Sequence, residues 1–215
     1  MSVHNGPNVI ENGLVLCLDA GDPRSYAGSG TVWADRSGLG NNGTLVNGVG
    51  YNSSNRGSLV FDGIDDQVNC TNSPLSAGKV TASAWIRLGS STSNQHIIDS
   101  GSNTWHLAII GSSLNPYFYN GSTFHSSSVT LLRGVWYMLT GIQGTTNDIY
   151  VNGVRVATLS SNVNITTNAI ALGTWQSGGG RFLNGNVAQA LVYNRALSAD
   201  EIKQNFEATR SRFAI

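Results

Sequence analysis

Short apolar segments alternate with clusters of glycine, asparagine and serine along most of the chain. In the segment 80–87 every second position is apolar, which places Val80 and Ile86 on the same face of a predicted strand. The segment 136–142 is apolar on both faces, as expected for a strand inside a two-layer stack. The other predicted strands are 14–18, 58–61, 67–70, 96–100, 106–110, 116–119, 169–172 and 186–193.

Asn-Gly dipeptides recur between these segments and predict tight turns. The clearest one, Asn152-Gly153, lies between two runs rich in β-branched residues. A two-residue type I′ turn needs positive φ at both central positions, which asparagine and glycine tolerate. The segment 148–157 is therefore predicted to be a β-hairpin. The run Gly178-Gly179-Gly180 lacks the lysine that follows in a phosphate loop and is predicted to be a hairpin loop.

The chain has one helix signal, close to its C-terminus. Ser198 is a suitable N-cap, and Glu201 stands three residues later, which together make the capping-box pattern. Ile202 and Phe206 are four residues apart and share one helix face. About ten short strands followed by a single helix over 197–207 predict an all-β sandwich or jelly roll rather than a fold of alternating strands and helices.

Composition narrows the possible partners. The chain has 215 residues, a length typical of one β-sandwich domain, and 40% of them are hydrophobic, enough for a substantial core. Only 11% are charged, and the formal net charge is zero, which disfavours binding to nucleic acid or to an anionic membrane. No apolar run is long enough to span a membrane, and residues 1–8 show no signal-peptide pattern.

The two cysteines, Cys17 and Cys70, both fall in strand-like runs. A small buried thiol is the simpler interpretation of each. A disulfide between them stays open as an alternative that secretion would favour.

Several segments, in order along the chain, resemble the laminin-G-like branch of the concanavalin A-like lectin/glucanase domains. Residues 61–68 resemble the Phe-Asp-Gly-x-Asp-Asp-Tyr-Val segment of that family, with Gln67 in place of the aromatic residue. The remaining matches are 13–20, 33–44, 82–86, 150–153 and 193–198. The resemblance implies a jelly roll of two antiparallel sheets with one short C-terminal helix, but it does not imply one particular activity.

The resemblance also implies a domain plan and a context. We expect an N-terminal arm over 1–12, the jelly roll over 13–209 and a C-terminal tail over 210–215. The whole chain resembles virion structural proteins of tailed bacteriophages. The first hypothesis is therefore a non-enzymatic head-decoration or tail component located in the virion. A secreted or surface glycan-binding lectin module, hence extracellular, is the alternative, and a glycoside hydrolase is the remote one.

Acidic residues are too sparse to favour hydrolysis. Between Asp66 and Asp200 the acids are Asp99 and Asp148, whereas glycoside hydrolysis needs a pair of carboxylates. Structural calcium is possible, since carboxylate oxygens are its usual ligands. The candidate ligands are Asp19, Asp35, Asp62 and Asp65, with Asp22 and Asp66 beside them. No other cofactor is indicated, and the histidines have no metal-ligand spacing; His96 and His106 are expected at a sheet edge or rim.

Aromatic residues near the middle strands are the candidates for glycan binding, because a sugar ring can stack on an exposed aromatic side chain. They are Trp105, Tyr117, Tyr119 and Trp175, with Phe124 nearby. The alternative for each is core packing, which is the expectation for Trp85 and Trp136.

The chain ends carry apolar groups that match no sandwich strand. The hypothesis is that they contact another copy of the chain or a neighbouring virion protein. The assembly candidates are Val9, Ile10, Arg212, Phe213 and Ile215. Frayed termini are the alternative.

Overall fold

The computed structural model describes residues 7–70, 78–101, 104–160, 169–176 and 180–215. The first six residues of the predicted arm, and Gly178 and Gly179 of the predicted loop, lie outside the described residues. The strands are β1 (Leu14–Asp19), β2 (Val32–Trp33), β3 (Gly43–Val46), β4 (Gly50–Asn52), β5 (Ser58–Asp62), β6 (Gln67–Cys70), β7 (Val80–Leu88), β8 (Gln95–Asp99), β9 (His106–Ile110), β10 (Asn115–Tyr119), β11 (Phe124–Ser126), β12 (Trp136–Gln143), β13 (Thr146–Val151), β14 (Val154–Ser160), β15 (Ala171–Leu172) and β16 (Asn184–Tyr193).

These strands form two antiparallel sheets, which confirms the predicted jelly-roll sandwich. Sheet A has the order β14-β13-β12-β7-β16-β5-β4, and β1 also pairs with β16. Sheet B has the order β11-β10-β9-β8-β15-β6-β3-β2. The strands β2, β3, β4 and β11 have two to four residues each and were not predicted, because such short runs show no periodicity.

The predicted hairpin is present. Val151 pairs with Val154, and the turn residues Asn152 and Gly153 have φ values of +52° and +78°. Both φ values are positive, as a type I′ turn requires.

A single α-helix, α1 (Ala199–Thr209), follows the last strand, and a 3₁₀ turn over Arg210–Phe213 continues it. The hydroxyl of Ser198 accepts a hydrogen bond from the Glu201 backbone N–H, and the Glu201 carboxylate accepts one from the Ser198 N–H. This confirms the capping box. Helix α1 is 11 residues long. None of the helices in the described ranges has the length and apolar content to cross a membrane.

Apolar side chains form two cores, one on each face of sheet A. The larger core fills the space between the sheets, where Ala84 and Ile86 of β7 meet Leu107 and Phe118 of sheet B. The smaller core lies on the outer face of sheet A. Its members are Trp85, Trp136, Met138, Ile142, Tyr150, Ala188, Leu191, Tyr193, Leu197, Ile202 and Phe213.

The cysteines lie in different cores, and both are free thiols. Cys70 packs in the core between the sheets, and Cys17 packs against the outer core. Burial raises the pKa of each thiol to about 12.

The described end of the predicted N-terminal arm packs on its own domain, while its expected assembly contacts stay a prediction. Val9 and Ile10 contact the outer core. The Ile10 N–H donates to Asn205 Oδ1 at 2.8 Å, and the Tyr193 hydroxyl donates to the Ile10 carbonyl at 3.0 Å. The prediction of free apolar groups at this end is wrong because α1 and β16 supply the partner.

The C-terminal tail is also folded onto sheet A. The Phe213 ring stacks on Trp85 with centroids 4.1 Å apart and lies 4.8 Å from the Trp136 ring. Arg212 forms an ion pair with Asp19 at 2.6 Å and donates to the carbonyl oxygens of Asn55 and Gly57. Arg212 and Phe213 are therefore intramolecular contacts, while Ile215 is 40% exposed.

Replacing Phe213 by alanine should remove the aromatic stack that seals the outer core. We expect the free energy of unfolding to fall by about 3 kcal/mol, as for other buried aromatic truncations. Chemical denaturation measures this change. Ile215→Ala is the matched control and should leave stability within about 0.5 kcal/mol. Equal midpoints for the two variants would contradict the packing of the tail on sheet A.

Replacing Gly153 by valine should destabilise the hairpin by about 1 kcal/mol or more, because a β-branched residue resists positive φ. Gly153→Asn adds the same Cβ atom, 3.2 Å from Phe206 Cβ, but asparagine adopts positive φ readily. The valine variant should therefore melt at a lower temperature than the asparagine variant. Identical melting temperatures would exclude a backbone origin for the effect.

Candidate functional site

Sheet B presents the open face of the sandwich. The outer face of sheet A is covered by α1, the tail and residues Val9 and Ile10, whereas among the described residues the chain around Trp175 and Arg181 lies on the outer face of sheet B. The His96 N–H donates to the Arg181 carbonyl at 3.0 Å, and the Gly173 N–H donates to the Ile97 carbonyl at 3.1 Å. These bonds fasten this connection to β8.

An aromatic surface occupies the β9–β11 end of this face. Tyr119 is paired with His106 on one side and with Phe124 on the other. The three rings lie in one row across the strands, with centroids 4.9 Å apart for His106–Tyr119 and 4.6 Å apart for Tyr119–Phe124. Phe124 is 62% exposed. The alternation of strand side chains turns Leu107 and Phe118 inward and leaves this row outward.

A buried polar cluster lies at the centre of the same face. His96 Nδ1 is 2.9 Å and His106 Nδ1 is 3.6 Å from Asp99 Oδ2, and all three side chains are buried. The other Asp99 oxygen accepts the Gly101 N–H at 2.7 Å. A carboxylate at Nδ1 favours the His96 tautomer with the proton on Nδ1 and leaves Nε2 as an acceptor. The Tyr117 hydroxyl lies 3.2 Å from that Nε2 and can donate to it.

Both imidazoles are held in the neutral form. Burial lowers the pKa of His96, although Asp99 acts in the opposite direction. Burial, with smaller contributions from His96 and Arg181, lowers the pKa of His106 to about 2. Neither histidine therefore adds a positive charge to the cluster at neutral pH. Burial also raises the pKa of Tyr117, which keeps its hydroxyl protonated.

Arg181 stands above this cluster. Its guanidinium carbon lies 4.6 Å from the centroid of the Trp175 ring, and its Nη1 is 3.5 Å from His96 Nε2. The residue has a φ of +54°, a conformation that non-glycine residues adopt at a cost. Its surroundings fix that conformation through the backbone bond to His96.

Trp175 and Arg181 border two depressions. The first, of about 270 Å³, is lined by Asn94, Ile110, Tyr117, Phe124, Ser126 and Arg181. The second, of about 420 Å³, is lined by Asn47, Asp65, Gln67, Asn69, Thr174, Trp175, Gln176 and Phe182. Both combine aromatic rings with amide, hydroxyl or charged groups. Such a combination can stack a sugar ring and form hydrogen bonds with its hydroxyl groups.

Three of the four aromatic candidates lie on this face, and one does not. Tyr117 and Trp175 line the depressions, and Tyr119 lies in the aromatic row. Trp105 has no exposed surface and stacks with Phe118 in the core between the sheets. Its selection as a glycan-binding residue is therefore wrong.

The sequence pattern did not indicate that the histidines and Arg181 come together on this face. His96 and His106 lie in the central strands β8 and β9, not at an edge or a rim. The sequence pattern of residues 106–110 indicated this position, because Leu107 and Ile109 alternate with His106, Ala108 and Ile110. Arg181 gave no signal, because only the fold brings it to His96.

The calcium candidates differ in what their oxygens already bind. Asp19 accepts hydrogen bonds from Arg212, Gly21 and Gln189. Asp35 accepts backbone N–H groups of Cys17, Ser37 and Asn41. These contacts give Asp19 and Asp35 a structural role, and their assignment as calcium ligands stays a prediction.

Asp62 and Asp65 form a turn together with Asp66. One oxygen of each lies within 4.8 Å of the others, a spacing that could hold a calcium ion. Asp62 Oδ1 also accepts the N–H groups of Ile64 and Asp65, as expected for a tight turn. The calcium assignment of Asp62 and Asp65 stays a prediction.

Comparison with known proteins agrees with the jelly-roll fold described above. The family model described as the concanavalin A-like lectin/glucanases superfamily matches residues 61–203. Comparison with curated protein sequences gave no match.

Three solved structures illustrate the similarity. Domain 4 of the extracellular arabinanase AbnA of Geobacillus stearothermophilus, in complex with arabinotriose, is 14% identical with a TM-score of 0.71, covering 92% of this chain and 100% of that domain. The binding domain of Paraclostridial Mosquitocidal Protein 1 is 16% identical with a TM-score of 0.73, covering 91% of this chain and 52% of that one. Trypanosoma rangeli sialidase in complex with the inhibitor DANA is 15% identical with a TM-score of 0.69, covering 96% of this chain and 34% of the sialidase chain. This chain thus spans about half of the second structure and about a third of the third.

The buried histidines should make the fold sensitive to mild acid. Because the pKa of His106 is lower in the folded chain, the unfolded chain binds more protons below pH 6.5, and stability falls as the pH falls. Between pH 7 and pH 5.5, we expect a loss of about 1 kcal/mol from His106 alone. Denaturation midpoints across this range measure it. His106→Phe keeps a ring against Tyr119 and should flatten the dependence; an unchanged slope would contradict this assignment.

Proposed function

Because the chain belongs to the concanavalin A-like lectin/glucanases superfamily, we propose that it is a carbohydrate-binding domain without hydrolytic activity and that the open face of sheet B holds the glycan. The observation that carries the proposal is the placement of Phe124, Tyr119 and Trp175 on the outer face of sheet B, away from helix α1, which packs on sheet A. Exposed aromatic side chains beside amides are the groups that a sugar ring requires.

The polar side chains of the second depression suit sugar hydroxyl groups. Gln67 and Asn69 point outward from β6, and Gln176 is exposed beside Trp175. Within the described part of the chain, the side chains of these three residues take part in no hydrogen bond that would compete with a ligand. An amide can donate and accept at once, which matches the two roles of a hydroxyl group.

Known structures of similar fold support this proposal. The arabinanase domain is in complex with arabinotriose, and a botulinum neurotoxin DC binding domain, 17% identical with a TM-score of 0.70, is in complex with SialylT. At such identities the likeness concerns the fold, so the glycan and its position in this chain remain part of the proposal.

The position of Asp99, the carboxylate of the buried cluster, supports a non-catalytic role; Asp65, which lines the second depression, is another carboxylate of this face. Hydrolysis of a glycosidic bond needs two carboxyl groups, about 5 to 9.5 Å apart, that reach the bond. Asp99 is fully buried and engaged with His96 and Gly101. Its side chain cannot reach a bound sugar.

The virion role of a tailed bacteriophage is the second candidate, with an extracellular lectin as its alternative. One observation favours display on a larger assembly: the arm and the tail both lie on the outer side of sheet A. A neighbouring subunit held at either end would leave the open face of sheet B pointing outward. Mass spectrometry of purified particles would test this role.

Screening the purified chain on a glycan array tests the main proposal. Phe124→Ala and Trp175→Ala should each weaken binding about tenfold or more, as expected when a stacking surface is lost. Val154→Ala removes a similarly exposed apolar side chain from sheet A and should leave binding unchanged. Loss of binding in all three variants, or no binding by the parent chain, would count against the proposal, as would release of reducing sugar from a bound glycan.

A further inference from the structure

Arg181 is a cation without an anionic partner in the first depression. Asp99 lies below it, paired with His96 and His106, and within the described residues no carboxylate is within 4 Å of the Arg181 guanidinium. The other lining residues, among them Asn94, Tyr117 and Ser126, are neutral. We propose that this depression takes an acidic glycan, whose carboxylate or sulfate group binds Arg181; this inference rests on the proposed function.

The guanidinium is held before any ligand arrives. The Trp175 ring lies against it at 4.6 Å, and His96 Nε2 faces Nη1 at 3.5 Å. Asp99 in turn fixes the His96 ring through Nδ1 at 2.9 Å. Fixing the planar group reduces the entropy that a ligand must remove when it binds.

The remaining N–H groups of Arg181 are suited to an anion with paired oxygens. A guanidinium has five donors in one plane, and carboxylate and sulfate groups accept two of them side by side. Phe124 lies across the same depression and offers a surface for the ring that carries the anion. A neutral sugar would leave the cation without its counter-charge.

The nearby titratable groups do not provide a negative counter-charge for Arg181. The two histidines carry no charge at neutral pH, because burial keeps both rings neutral. The Tyr117 hydroxyl stays protonated, since burial raises its pKa. Asp99 is the one anion nearby, and its oxygens already accept from His96 and Gly101.

The backbone at Arg181 gives an independent reason to assign it a function. A φ of +54° is costly for arginine, and a glycine or asparagine would fit this position with less strain. Strain of this kind collects at binding sites, where a particular side chain is needed. Arg181→Asn therefore removes the charge while keeping a residue that tolerates the conformation.

The test uses matched pairs of glycans on one array and in calorimetry. The pairs are a galacturonic acid trimer with a galactose trimer, 3′-sialyllactose with lactose, and 6-sulfated with unsulfated N-acetyllactosamine. The parent chain should bind at least one acidic member about tenfold more tightly than its neutral partner, a difference of about 1.4 kcal/mol. The pairs separate a carboxylate from a sulfate ligand.

Arg181→Asn should abolish that preference, and Arg181→Lys should keep part of it, because lysine keeps the charge but not the paired donors. Arg155→Asn removes an exposed arginine from β14 of sheet A and is the control for a loss of overall charge. The affinity of the acidic glycan should also fall as salt is raised, and that of the neutral partner should not.

The outcomes separate the two proposals. Neutral glycans that bind as well as acidic ones, with binding lost in Phe124→Ala or Trp175→Ala, would overturn the acidic-glycan inference and leave the carbohydrate-binding function intact. An acidic preference that persists in Arg181→Asn would also overturn it. No binding to any member of the array would remove both.

Discussion

The need to cover sheet A on both faces determines the rest of this structure. Its central strand β7 is buried at nearly every position, with Ala84 and Ile86 facing sheet B and Trp85 facing the other way. A sheet that is apolar on both sides must bury each side against another layer. Sheet B covers one face, and α1, the tail and the arm cover the other. Within the described residues, sheet B is then the layer whose outer face has neither α1 nor the tail packed on it.

The outer face of sheet B is built at some energetic cost. A buried polar cluster of His96, Asp99 and His106 lies where an apolar patch would pack more simply. His106 Nε2 is buried and has no hydrogen-bond partner among the described residues, which costs about 1 to 3 kcal/mol. Arg181 adds backbone strain directly above. Departures from the local rules of packing are expected where a surface serves a function rather than stability alone.

Local signals in the sequence were sufficient for the elements that depend on neighbouring residues. The capping box at Ser198, the hairpin at Asn152 and Gly153, and the alternation in β7 all follow from short-range chemistry, and all are present. The short edge strands β2, β3, β4 and β11 were not predictable, because pairing with a longer neighbour makes them strands.

Partners that are distant in sequence explain the wrong expectations. Trp105 and Trp175 are equally aromatic, but Trp105 shares the inward direction of Leu107 and Ile109, and only the fold shows which direction is inward. Phe213 looked like an unmatched apolar side chain because its partners, Trp85 and Trp136, lie more than 70 residues away in sequence. Arg212 and Asp19 are separated by 193 residues.

The low charge of the chain gives the single guanidinium on the open face more influence than it would have elsewhere. Many of the charged side chains pair with one another in segments that join or cover sheet A, as in Arg195–Glu201 and Arg210–Glu207. At physiological salt, charges are screened beyond about 8 Å, so paired groups on the far side of a sandwich contribute little to the field over sheet B. Arg181 then sets the local potential of the first depression, where the nearby Asp99 is buried and engaged. For the proposed acidic glycan, such a face suits a small anionic group on a sugar rather than a polyanion, for which one cation is too few.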